Sequence, residues 1–161
     1  MAVDIFIKID GIEGESQDSK HKNEIDVQSF SFGLSQAGSF SAQGGGGVGK
    51  ANFQDVHFTK HADKASPKLF LATANGEHIK KAEVTFRKAG KDQQEYLKIT
   101  ISDILVSSYQ VSDSAGGTTP PSESVSLNFA KIEFDYKEQK ADGTLGGSVK
   151  TGWDIKGNKK V

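Results

Sequence analysis

Apolar residues recur at every second position along most of this chain, and at three points the phase of that alternation jumps by one residue. Alternation is the mark of a strand with one face buried. Val3, Ile5, Ile7 and Ile9 share one face, with Asp4, Lys8 and Asp10 opposite. Phe6 interrupts the polar side, which predicts a second layer or a neighbour there. Ile25 and Val27 alternate, and the phase then moves to Phe30, Phe32 and Leu34. Leu97, Ile99 and Ile101 are followed, out of phase, by Ile104, Val106, Tyr109 and Val111. Val125, Leu127 and Phe129 give way to Ile132, Phe134 and Tyr136. One-residue slips are what β-bulges produce, and bulges let a sheet turn. Three of them predict a mainly β fold whose sheet is strongly curved or closed rather than flat.

Further strands are expected at 82–88 and 94–102, joined by the short turn Ala89-Gly90-Lys91-Asp92. The last strand runs through Val149, Thr151, Trp153 and Ile155. One short flanking helix is marked by Ser66 as N-cap, Pro67 in the first turn and Gly76 just past the end. Leu69, Phe70, Leu71, Ala72 and Ala74 leave that helix little polar face, so it should dock on the barrel. Long extended loops are expected at 37–50, 112–121 and 139–147. No internal repeat is present, and 161 residues suit a single domain, 1–161.

Composition removes several function classes. A net charge of −1 gives no general attraction to nucleic acid or an anionic membrane. The absence of cysteine excludes disulfides and thiolate metal sites. The first residues lack a basic segment and an unbroken apolar core, and no stretch approaches about 18 apolar residues. The chain is therefore expected in the cytoplasm, with any export independent of a cleaved signal, and without membrane insertion.

No motif supplies catalysis or a cofactor. Gly44-Gly45-Gly46-Gly47-Val48-Gly49-Lys50-Ala51 approaches a phosphate-binding loop, but Ala51 stands where the magnesium-binding hydroxyl belongs. The flanking segments also read as polar loop and strand rather than strand and helix. His57 and His61 are four apart, a spacing that converges on a metal only in a helix, and their segment reads as extended. No G-x-S-x-G elbow is present, and the carboxylates scatter over polar strand faces. Trp153 reads as a core or interface anchor. From the residues alone the rival readings are a self-assembling β-domain and a monomeric β-barrel module that binds carbohydrate or peptide.

Several segments carry a family resemblance. Phe6-Ile7-Lys8-Ile9 leading into Gly11-Ile12-Glu13-Gly14-Glu15-Ser16 resembles the opening of the Hcp family, the tube proteins of the type VI secretion system. Phe58-Thr59-Lys60, Asp63-Lys64-Ala65-Ser66-Pro67, Leu69-Phe70 and Arg87-Lys88-Ala89-Gly90 are similar to that family as well. So are Leu105-Val106-Ser107-Ser108, Val125-Ser126-Leu127-Asn128-Phe129-Ala130 and Gly152-Trp153-Asp154-Ile155. The resemblance implies a closed antiparallel β-barrel with one short flanking helix, a homohexameric ring, rings stacked into a tube driven out by a contracting sheath, and a spike protein at the tip. It also implies effector proteins held in the ring lumen and secretion without a cleaved signal peptide. Some relatives carry a C-terminal toxin domain, and a chain ending at Val161, soon after the last strand, is expected to be the plain structural form. By the same analogy Ser29, Ser31 and Gly33 face the lumen and its cargo. The loop residues Gly44, Gly45, Gly46 and Gly47, with Gly90 and Lys156 on opposite ring faces, belong to ring stacking.

Overall fold

The computed structural model describes residues 2–37, 50–90 and 92–161. The chain runs β1 (Val3–Ile9), β2 (Ile25–Val27), β3 (Ser29–Ser31), β4 (Leu34–Ser35), β5 (Asn52–Phe53) and β6 (Val56–His61). Helix α1 (Ser66–Asn75) follows, then β7 (Ile79–Lys88), β8 (Glu95–Ser112), β9 (Ser122–Gln139), β10 (Leu145–Asp154) and β11 (Lys159–Lys160). Among the described residues nine strands form one sheet with the path β11-β10-β9-β8-β7-β1-β2, and β6 pairs with both β9 and β3. β4 and β5 pair separately.

The alternation sets the core. Ile5, Ile7 and Ile9 stand opposite Phe86, Val84 and Ala82 of β7, which lie beside Leu97, Ile99 and Ile101 of β8. These side chains, with Val56, Phe58, Ile104, Val125 and Leu127, form one apolar cluster under Leu69 and Ala72 of α1. Phe6 is buried on the other face of β1, stacked on His21 at 4.5 Å and capped by the Arg87 guanidinium 4.8 Å from its ring. The apparent interruption of the pattern is thus a second, small layer under the segment that follows β1.

Two of the slips have different causes. Asp103, at φ 55°, lies between the pairs Ser102↔Lys131 and Ile104↔Phe129 of a ladder whose register does not change there. β8 and β9 therefore turn together, and the two segments read separately at 94–102 and 104–111 are one 18-residue strand. At Gln28 the strand instead changes partner, from β1 to β6, and the Gln28 N–H donates to the Thr59 carbonyl at 2.8 Å. The mainly β fold with one helix is as expected, whereas closure into a barrel is not seen among the described residues. The sheet is strongly curled, but its edge strand β2 ends where β3 begins on β6, so no single continuous ladder closes it.

The helix starts one residue earlier than expected. Ala65 is the N-cap and Ser66 the first helical residue. The Ser66 hydroxyl is spent elsewhere, accepting from the Asp63 N–H at 3.0 Å and donating to Glu123 at 2.8 Å. Gly76 does end the helix in the left-handed region, at φ 66°. Phe70 and Leu71 face outward.

Candidate functional site

The strand register brings together a surface that no single segment announces. In the part of the sheet made by β3, β6, the first half of β9 and the last third of β8, one face is turned inward and carries Phe58 and Val125 together with the buried Lys60 and Glu123. On the other, Ser29, Thr59, Ser124 and Gln110 line up in one row across four strands. Ser31, His57, Ser126 and Ser108 form the next row, and His61, Ser122 and Ser112 a third. A quarter of the chain is charged, yet none of these residues is.

Local hydrogen bonds link the side chains of this face. Ser29 Oγ meets Thr59 Oγ1 at 2.5 Å, and His57 Nδ1 meets Ser126 Oγ at 3.0 Å. His61 donates from Nδ1 to the Pro120 carbonyl at 3.2 Å, and its Nε2 meets the Gln28 side-chain amide. Beyond one end, Asp55 accepts from Ser107 at 2.6 Å and from Asn128 at 2.8 Å.

Of the residues singled out from sequence, Ser29 and Ser31 are exposed on this face. Gly33 follows them, its carbonyl accepting from the Gln54 N–H at 2.9 Å, and a Cβ there would sit 3.0 Å from Gln54 Oε1. Gly44, Gly45, Gly46 and Gly47 lie outside the described residues. Gly90 is exposed in the β7–β8 turn, at φ 126°. Lys156 is exposed beyond the end of β10. The Arg87↔Glu95 pair marks the Gly90 end of the sheet, and the aligned Asp154, Lys131 and Ser102 mark the Lys156 end. Seven residue steps separate Glu95 from Ser102, or ~23 Å at ~3.3 Å per residue. Missing from the sequence reading are Thr59, Ser124, Ser126 and Gln110. Their signal was the polar partner set of Val125 and Leu127, which gave no hint of the strand opposite.

Two other surfaces differ sharply. On β8, β9 and β10, Lys98, Glu133, Asp135 and Lys150 line a charged hollow of about 330 Å³. Lys150 stands 3.7 Å from Asp135 and Lys131 3.6 Å from Glu133. A groove of about 500 Å³ is lined by Phe32, Leu34, Phe53, Phe134 and Trp153.

Two ionic clusters lie beneath and beside the sheet, the first tying β6 and β9 of the hydroxyl-rich face to the turn before α1. Lys60, fully buried on the inner side of β6, donates to Glu123, to Asp63 at 2.8 Å and to Ser66 at 3.3 Å. Glu123 also accepts from Tyr109, whose hydroxyl is pushed up to about 12 by burial and by that carboxylate. Burial works against the Glu123 charge, but the bonds from Lys60, Tyr109 and Ser66 outweigh it and hold its pKa below the ordinary value. Arg87, on β7, donates to Asp18 at 2.9 and 2.8 Å and to Asp4 at 2.9 Å. His21, beside them, meets Glu24 at 2.8 Å and Glu95 at 2.6 Å.

The Arg87 hydrogen bonds, helped by the backbone of Lys20 and His21, hold the Asp18 carboxyl well below the usual carboxylate range. A depressed carboxylate stabilises the fold above its unfolded pKa, ~3.9, and that contribution is lost as pH falls from there towards the folded value. Asp18→Asn should therefore flatten the acid limb of the stability profile, read as a smaller drop in urea midpoint between neutral pH and pH ~3 than the parent shows. An unchanged drop would show that the Arg87–Asp18 pair does not couple to folding.

Comparison with known proteins gives a consistent answer. Residues 6–136 match the family described as "Type VI secretion system effector, Hcp". Protein hcp1 of Pseudomonas aeruginosa is 51% identical over 160 residues, covering 98% of each chain. The crystal structure of Hcp1 from Salmonella typhimurium superposes over 100% of both chains with a TM-score of 0.81 at 38% identity. A structure described as a type six secretion system protein reaches a TM-score of 0.94 at 32% identity, over 99% of this chain and 100% of its own.

Proposed function

The chain belongs to the Hcp family of type VI secretion system proteins, and from that membership we propose that it is a tube subunit acting by assembly rather than catalysis. Its 161 residues act as one domain. Six copies close into a ring, the curled sheet of each completing its barrel in that setting. Rings stack into a hollow tube that a sheath expels behind a spike protein. The chain leaves the cytoplasm by this route.

The observation that carries the reading is the two-sided character of the sheet. The uncharged face around Ser29 and Ser31 suits a lumen through which cargo must pass, because it offers hydrogen bonds but no fixed charge. Contacts around a ring are head-to-tail and close, whereas contacts between rings are head-to-tail and stay open. The positions of Gly90 and Lys156 at opposite ends of the sheet support a stacking role for both, with Gly44–Gly47 assigned to the same contact by family analogy. Native mass spectrometry tests the assembly: a discrete sixfold mass supports it, and a monomer at every concentration overturns it.

The monomeric alternative has one observation in its favour, the apolar groove beside Trp153, which has the size of a small-ligand site. The same mass measurement separates the two.

The lumen assignment makes its own prediction. Ser31→Arg places a long charged side chain on the uncharged face and should abolish retention of an effector protein that the parent ring protects. The sixfold mass should persist. Full retention by the variant ring would remove Ser31, and with it Ser29 and Gly33, from the cargo surface.

A further inference from the structure

Resting on the cargo reading above, we propose that this face grips proteins through an uncharged polar stretch of their surface, by neutral hydrogen bonds and without ion pairs. Three rows of side chains across four strands contain only Ser, Thr, Gln and His. Hydroxyls rotate to donate or accept, so the face can satisfy either kind of group on a partner. The pairs Ser29–Thr59 and His57–Ser126 already use part of each group's capacity, leaving the rest directed outward. A partner carboxylate or ammonium pressed here loses water and gains no counter-charge, which disfavours it whatever its sign. In the third row both ring nitrogens of His61 are engaged locally, Nδ1 on the Pro120 carbonyl and Nε2 on the Gln28 side-chain amide. The charged hollow at Lys98, Glu133, Asp135 and Lys150 shows that the chain builds a salt-bridging surface elsewhere.

The test uses three fluorescein-labelled peptides of equal length, one rich in Ser and Gln, one in Glu and one in Lys, titrated with the assembled protein by fluorescence anisotropy. The neutral peptide should bind with less than about twofold change between low and high salt, and both charged peptides should bind about tenfold more weakly or worse. Ser124 sits mid-sheet. Both Ser124→Glu and Ser124→Lys should weaken the neutral peptide about tenfold, while Ser124→Thr retains it. Ser108→Glu and Ser108→Lys, on an exposed position of the same face, repeat the comparison should the Ser124 variants not fold. The proposal is overturned by a charged peptide binding as tightly as the neutral one, by one sign of charge tightening the grip, or by no peptide binding. Native mass on the same samples keeps the two ideas apart. A monomeric parent sinks the ring reading, whereas intact rings with charge-dependent binding sink only this one.

Discussion

Lys60→Met should lower the free energy of unfolding by about 3–5 kcal/mol, the cost of leaving a buried charge without its partner. Lys60 has no exposed surface and Glu123 only 1%, so water cannot replace what the substitution removes. All three ammonium donors are used in the parent, on Glu123, Asp63 and Ser66. Without them Glu123 keeps the Tyr109 and Ser66 hydroxyls but faces an uncompensated desolvation. Asp63 loses the tie that holds the turn before α1. The pair Lys60→Met with Glu123→Leu removes both charges and should recover most of the loss, since a buried ion pair is worth little against apolar groups of its size. Urea unfolding of the two single variants and the double variant measures this. Additive losses would mean that the residues act separately and that the cluster is not a unit.

Gly14→Ala should be nearly as damaging, at about 2–3 kcal/mol, for a steric reason. A Cβ on Gly14 would lie 2.6 Å from the Glu24 carbonyl oxygen and 2.7 Å from the Ile25 Cα. Those are backbone atoms, and Ile25 is fully buried at the start of β2. Gly14 donates its N–H to the Asn23 carbonyl at 2.9 Å and Ser16 donates to Glu24 at 3.0 Å, so the segment cannot move off without breaking its own pairing. The loss should appear as a lower thermal midpoint. Gly147→Ala, where a Cβ meets nothing within 4 Å, serves as control. Equal midpoints for Gly14→Ala and Gly147→Ala would show that β2 yields to admit the methyl.

By itself the sequence determined the strands, because burial on one face imposes a two-residue period that Ile5, Ile7 and Ile9 or Val125 and Leu127 display directly. It also determined the end of α1, where Gly76 alone could take the left-handed backbone at little cost, and the family, because matching segments run nearly the whole length. Partners were beyond its reach. Whether the slip at Asp103 breaks a strand or turns two together depends on Ala130, a residue 27 positions away. Whether β2 closes the sheet depends on which strand Gln28 meets. Ser66 looked like a cap until Glu123 competed for its hydroxyl. The uncharged face is the clearest case: Ser29, Thr59, Ser124 and Gln110 are ordinary polar positions on four separate strands. Only the tertiary register sets them side by side, because hydrogen bonding between strands, unlike alternation within one, is fixed by contacts distant in sequence.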